Sequence, residues 1–215
     1  MKRIYTLNED YFENIDNEYK AYMLGFIYAD GNIQKDKNRL RITLKHDDIE
    51  ILETFKDQLN YSGDIKVREL KSKTRDTKGY MIAELSIMSK KLIQDLNRHG
   101  VFPNKTFSIN YPNIPKHLDK HFIRGFFDGD GSIYERKDRP NGYRAELVCA
   151  SREFLEKICL KMDIEFRYVK PKKNVYVISL YKDKAKPLLI KMYAQSNIHL
   201  ERKYKLYQRF ICPSI

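Results

Sequence analysis

The chain contains no tryptophan and only three cysteines among 215 residues. Cys149, Cys159 and Cys212 are odd in number and have no close pair. That argues against a disulfide framework or a thiolate zinc site. A reducing intracellular setting fits such cysteine use, in cytoplasm or nucleoid, with an organelle left open. No apolar run approaches the ~20 residues that span a bilayer. The beginning, Met1-Lys2-Arg3, reads as an intact start, and no apolar stretch after it resembles a secretion signal. No membrane partner is therefore expected.

Other features are abundant. Sixteen tyrosines and eleven phenylalanines suit a core, and they also suit a wet, charged interface. The formal charge is +12, unevenly spread. Residues 1–32 carry 3 basic and 6 acidic side chains, whereas residues 132–215 carry 19 basic and 9 acidic ones. Such a field favours nucleic acid or another anionic surface.

Periodicity gives the order of elements. The apolar run EYKAYMLGFIYA at 18–29 is long enough for a buried helix, with Asp16 or Asn17 as its cap. In NRLRITLKH at 38–46, Leu40, Ile42 and Leu44 alternate with Arg39, Arg41, Thr43 and Lys45, which predicts a half-buried strand with a basic face. Helical spacing marks 47–60. Strands follow near 64–70 and 80–88 around a basic loop, then a short helix at 89–98. The order then repeats: helix 117–127, strands 131–136 and 143–150, helix 151–162, strands 164–170 and 174–181, helix 183–194, and a basic helix at 200–211. The expected organisation is a lead-in at 1–17, a first half at 18–99, a linker at 100–115 and a second half at 116–215. The expected class is α+β, with a four-stranded antiparallel sheet in each half, helices on one face and the other face open.

One short pattern occurs twice, 100 residues apart: MLGFIYADG at 23–31 and IRGFFDGDG at 123–131. Gly25 and Gly125 would let two helix backbones approach. Asp30 and Asp130 would then meet at the helix ends, and Gly31 and Gly131 could each adopt a left-handed cap. Helix carboxyl ends do not stabilise negative charge, and two neighbouring carboxylates repel. A divalent cation resolves both costs, and Mg²⁺ suits such oxygen donors. Asp128, whose counterpart is Tyr28, reads as a local capping residue.

These two strings, extended as AYMLGFIYADGNI and HFIRGFFDGDGSI, resemble the LAGLIDADG homing endonucleases over about residues 11–210. The resemblance implies a pseudo-symmetric single chain of two αββαββα halves with saddle-shaped sheets in DNA major grooves. It implies a monomer needing no protein partner and cleavage of both strands of a long, weakly palindromic duplex, leaving four-base 3′ overhangs. It also implies that Asp30 and Asp130 bind Mg²⁺, with Mn²⁺ as a substitute and Ca²⁺ supporting binding without cleavage. Family sites carry a basic residue near the metals, and Lys45 and Lys182, at expected strand ends, are the candidates. Two other readings stay open: a non-cleaving DNA-binding protein, or a maturase whose partner is intron RNA.

Candidate DNA-reading residues follow from the strand rows. They are Arg39, Arg41, Thr43, Lys66 and Arg68 in the first half, and Arg136, Arg144, Glu146, Arg167 and Tyr176 in the second. Arginine can read guanine with two bonds, and glutamate can accept from cytosine. Basic loops add Lys71, Lys73 and Arg75, then Lys137 and Arg139, and finally Lys172 and Lys173, which could reach along the duplex flanks.

Overall fold

The computed structural model describes residues 5–71, 79–103, 109–136 and 142–212. The Asn17 side chain accepts from the Lys20 backbone N–H at 3.0 Å and opens helix α1, Glu18–Asp30. Residues 21–28 of α1 are all buried, so this helix is apolar on every side. The chain then passes through strands β1 (Gly31–Gln34) and β2 (Arg39–Lys45), helix α2 (Ile49–Gln58), strands β3 (Lys66–Leu70) and β4 (Tyr80–Met88), and helix α3 (Lys90–Arg98). Ser89 caps α3 by accepting from the Leu92 N–H.

The same order returns with helix α4 (Asp119–Asp130), strands β5 (Gly131–Arg136) and β6 (Gly142–Cys149), and helix α5 (Arg152–Met162). Strands β7 (Val169–Lys172) and β8 (Val175–Tyr181) follow, then helices α6 (Ala185–Tyr193) and α7 (Glu201–Ile211). The two antiparallel sheets have matched strand orders, β1-β2-β4-β3 and β5-β6-β8-β7. The fold is α+β, as the sequence pattern predicts.

One apolar cluster joins both halves. Tyr28 of α1 packs its ring edge-on to Phe122 and stacks on Phe154 of α5, while Phe26 meets Phe55 within the first half. Inward strand residues such as Leu40, Ile42, Leu85, Leu147 and Ile178 complete it. Burying a large aromatic of this kind contributes about 3 kcal/mol each. No helix among the described residues is long and apolar enough to cross a membrane.

Local structure departs from the sequence expectation at three places. The four-residue strand β1 is additional to it, being too short to show an alternation. Residues 166–168 form a 3-10 turn, closed by the Tyr168 N–H on the Glu165 carbonyl, so the strand expected at 164–170 begins only at Val169. Gly31 and Gly131 are extended, at φ −74° and −87°, rather than left-handed. Glycine is required there by space. A Cβ would lie 2.6 Å from the Ile27 carbonyl oxygen in one case and 2.6 Å from the Phe127 carbonyl oxygen in the other. The chain can therefore turn directly from helix into strand.

Candidate nuclease centre and its basic platform

The site is built by the approach of α1 to α4. A Cβ on Gly25 would sit 1.9 Å from the Phe122 carbonyl oxygen, and one on Gly125 would sit 2.0 Å from that of Tyr22. The two backbones thus touch where each lacks a side chain. At the carboxyl ends, a Cβ on Gly129 would meet the Ala29 Cβ at 2.3 Å and Asp30 Oδ2 at 3.0 Å. The Asp30 carboxylate therefore lies across the seam, against the last turn of α4 that ends in Asp130. Asp30 is half-buried and Asp130 exposed. A cavity of about 260 Å³ adjoins Asp130, lined also by Tyr28, Ala29, Phe126 and Cys149. Burial pushes the Cys149 thiol up to about 11, and the nearby Asp130 charge adds to this. That thiol is therefore protonated and inert at neutral pH.

Lys203, on α7, closes the far side of the centre. Its ammonium is almost wholly buried and donates to the carbonyl oxygens of Phe127 at 2.6 Å, Asp128 at 2.7 Å and Gly131 at 2.5 Å. Burial lowers its pKa to about 8; Asp128, Asp30 and Asp130 oppose the fall, while Arg202 adds to it. One ammonium thus feels both motif carboxylates. Asp128 is also fully buried, and its bonds are long-range rather than local. It accepts from the Tyr22 hydroxyl at 2.7 Å, the Tyr193 hydroxyl at 2.5 Å and the Leu200 N–H at 2.8 Å. Those bonds tie α1, α6 and the start of α7 to the end of α4.

Among the described residues, no group of three or more His, Cys, Asp or Glu side chains is placed to hold a metal. The candidate donors are the carboxylates of Asp30, against the last turn of α4, and of Asp130, which ends that helix. All are hard oxygens and few in number, which fits Mg²⁺, since that ion keeps waters and takes phosphate oxygens.

Strand register decides which side chains reach the open sheet faces. On the first sheet Thr43, Glu84 and Lys66 are level, flanked by Arg41 opposite Ser86 and Arg68 opposite Ile82. Arg39 lies on the same face, opposite Met88, as does Lys45. On the second sheet Ser132, Glu146 and Ser179 are level, flanked by Tyr134, Arg144 and Tyr181. Arg136 lies opposite Gly142 on that face, and Lys172 opposite Val175. The Nε atoms of Arg39, Arg41 and Arg144, and Gln34 Oε1, are buried without a hydrogen-bond partner. Buried polar atoms are seldom left so. Three of these atoms belong to the first open face and one to the second.

Several sequence candidates stand elsewhere. Tyr176 pairs with Cys149 and packs against the core, so the register puts it on the face opposite Glu146. Arg167 sits in the 3-10 turn and forks onto Glu165, with both contacts at 2.9 Å. Lys45 and Lys182 are not counterparts. Gly31 is level with Ile42 and Leu85, and Gly131 with Leu147 and Ile178. Lys45 therefore lies beyond that level on the side of Asp30. Lys182 lies past the Tyr181–Arg144 pair, at the sheet end away from Asp130. Lys71 and Lys173 are exposed at the ends of hairpin loops. Lys73, Arg75, Lys137 and Arg139 lie outside the described residues.

The LAGLIDADG-like domain model matches residues 17–99 and 118–179. The chain belongs to that family. It is 29% identical over 134 residues to the intron-encoded DNA endonuclease ai2b of Dictyostelium discoideum, covering 55% of this chain and 48% of that protein. It is 28% identical over 188 residues to a probable translation initiation factor IF-2 of Methanocaldococcus jannaschii, covering 76% of this chain and 14% of that protein. The chain thus spans under half the length of either relative.

Solved LAGLIDADG structures share the fold. The meganuclease I-AabMI, bound to uncleaved DNA, aligns with TM-score 0.59 at 19% identity, covering 91% of this chain and 89% of that one. The homing endonuclease I-LtrWI, bound to target DNA, gives 0.58 at 13%, covering 94% and 89%. The amino-terminal LAGLIDADG domain of DUF199/WhiA gives 0.53 at 15%, covering 91% and 93%.

Within this LAGLIDADG chain, sequence reasoning singles out the motif acids but passes over Lys203 and Glu84. Lys203 sits in an evenly basic helix, and nothing in its spacing distinguishes it from Arg202 or Lys205. Glu84 is the one charged residue in the strand YMIAELSIM. That break in pattern is the signal that could have found it.

Proposed function

We propose that this chain is a site-specific, divalent-metal-dependent endonuclease that cuts both strands of a long DNA duplex. The carrying observation is that Asp30, at the end of α1, lies against Gly129 in the last turn of the helix that ends in Asp130, with the two helices packed through Gly25 and Gly125. The seam lies between two sheets whose open faces carry Arg39, Arg41, Lys66 and Arg68, and Arg136, Arg144 and Lys172. Such faces suit a polyanion, and the arginine forks suit guanine edges in a major groove.

In this reading Asp30 and Asp130 hold Mg²⁺. When bound, the ion supplies Lewis-acid charge to the scissile phosphate and a source of hydroxide at neutral pH. The chain's own residues do the rest. The helix ends fix the two carboxylates, and the buried Lys203 ammonium braces the α4 end and adds positive charge beside the phosphates. The sheet rows position the duplex. One carboxylate in each half suits one cut per strand, leaving four-base 3′ overhangs, and a single chain supplies both halves.

The test joins the genomic flanks of the gene and offers that DNA to the protein with Mg²⁺. Specific double-strand cleavage, lost in Asp30→Asn and Asp130→Asn, supports the reading. Tight duplex binding without cleavage under Mg²⁺ or Mn²⁺ would point instead to a DNA-binding protein on the same fold.

A further inference from the structure

Each open sheet face carries one partly buried glutamate held by two cations. Glu84 lies 3.6 Å from Arg41 Nε and 3.8 Å from Arg68 Nη2. Glu146 lies 3.6 Å from Arg144 Nη1 and 3.5 Å from Lys172 Nζ, and it accepts from the Ser179 hydroxyl at 2.8 Å. Both carboxylates are only 13% exposed, while their cationic partners are 31% to 56% exposed. In each case the acid sits at the floor of the face with its cations reaching over it.

The two clamps are not copies made by the repeat. With the Gly31 and Gly131 rows aligned, Glu84 on β4 matches Val177, and Glu146 on β6 matches Arg41. The same arrangement therefore exists at different positions in the two halves. Stability does not account for it, because ion pairs this open contribute only about 0–1 kcal/mol. Nor does affinity for a polyanion, since an acid on such a face opposes phosphate. Arg41 and Arg144, one in each clamp, have an Nε without a hydrogen-bond partner. These forks are held by charge without being saturated.

We propose that Glu84 and Glu146 are specificity-determining residues: internal counterions that hold Arg41, Arg68, Arg144 and Lys172 away from phosphate until a matching base sequence releases them. The inference rests on the DNA reading above. On an unmatched duplex, the cations would have to leave their carboxylate for a phosphate, and the stranded acid would face the backbone. On a matched one, the arginines turn to guanine edges, and the freed carboxylate accepts from cytosine. Discrimination then arises from an element set against the wrong partner as well as from contacts to the right one.

The experiment compares wild type with Glu84→Gln, Glu146→Gln and the double variant, each confirmed folded by its melting temperature. Glu84→Ser and Glu146→Ser serve as second variants at the same positions. Binding to a random-sequence duplex pool is measured across salt concentrations, and bound sequences are recovered and read. Each substitution should tighten binding to random duplex and steepen the log–log salt slope by about 0.9 for each cation freed onto B-DNA phosphate. The base preferences lost should lie under one sheet for Glu84→Gln and under the other for Glu146→Gln. Unchanged slopes and preferences, with wild type binding duplex normally, would overturn this inference alone. A wild type with no salt-dependent duplex binding would overturn the DNA reading and this inference with it.

Discussion

Tyr28 and Asp128 occupy the same place in the two motif helices, yet they anchor the chain beyond α3 and beyond α6 in opposite senses. In the first half the Tyr28 hydroxyl donates to the His99 carbonyl, just past α3. In the second, the Asp128 carboxylate accepts the Leu200 N–H, just before α7. Donor and acceptor are exchanged, but each motif helix still ties down the segment that follows the helix after its sheet, α3 in one half and α6 in the other. The chemical demands differ. A phenol fills its pocket with ring, stacked on Phe154, whereas a buried carboxylate needs several donors and recruits Tyr22 from the other half and Tyr193. Asp128 therefore reaches across to the first half through Tyr22, as Tyr28 reaches across to Phe122 and Phe154, whereas Lys203 braces the end of α4 within its own half.

The largest expected effect tests whether the two halves are equal where it matters. Asp30→Asn and Asp130→Asn should each lower cleavage of the target by about a hundredfold or more. On a supercoiled plasmid bearing that target, one cut per half predicts that either variant accumulates nicked circles. If either substitution stops both strands alike, the two carboxylates serve one shared centre, and the division into halves is wrong.

The tie residues should differ sharply in stability. Asp128→Ala strands two tyrosine hydroxyls and one N–H in the core, which should cost about 4 kcal/mol. Tyr28→Phe removes one hydrogen bond and keeps the ring, so about 1 kcal/mol is expected. Urea melts of the two variants check the ratio. Equal losses would mean that the carboxylate is no more than a filled space.

The glycines, by contrast, should behave as a matched pair. Gly25→Ala and Gly125→Ala each force a methyl against a carbonyl oxygen of the facing helix, and each should cost about 2–3 kcal/mol. A large difference between their melting midpoints would show that one helix can yield and the other cannot.

The repeat is legible in the sequence because both helices meet the same steric demand at Gly25 and Gly125. The motif acids follow at fixed spacing, so the placement of Asp30 and Asp130 at the ends of the two packed helices can be inferred from local pattern. The Leu40–Leu44 alternation reveals a strand and its basic face for the same reason. Features that depend on pairing between distant segments escape such reading. Register, not composition, turns Tyr176 toward the core and separates Lys182 from Asp130. The three carbonyls around Lys203 come from the end of α4 and the start of β5, some seventy residues earlier in the chain. Asp128 looks local in sequence because its partners lie 65 to 106 residues away. The extended Gly31 and Gly131 show a different limit, since a glycine can be needed for space as readily as for a left-handed turn.

The smallest expected effect lies at the other end of the paired helices. Leu24 in α1 is plain core, while its counterpart Arg124 is a buried guanidinium. Arg124 donates to the Ile198 carbonyl at 2.9 Å, the Met192 carbonyl at 2.8 Å and Glu18 Oε1 at 2.6 Å. His121 sits in the same cluster, 3.2 Å from Arg124 Nη1, where the first half has Ala21. Burial, aided by the Arg124 charge, lowers the His121 pKa to about 4 from an ordinary 6.5, with Glu18 opposing the fall. The folded state thus binds fewer protons at this histidine than the unfolded state between those two values. Stability should fall as pH drops through that window, and the whole loss should be reached near pH 4. Glu18 acts in the same direction lower down, since its pKa is held below the ordinary range despite burial, by hydrogen bonds from Asn197 and the charges of Arg124 and His121. The first half has no titrating group at either matched position. His121→Gln should therefore flatten the melting-temperature profile between pH 6.5 and about 4 while leaving the limb below it in place. If His121→Gln reproduces the wild-type profile, the neutral histidine is not what makes this end of the second half acid-sensitive, and the chemical difference between Leu24 and Arg124 has no consequence for stability at His121.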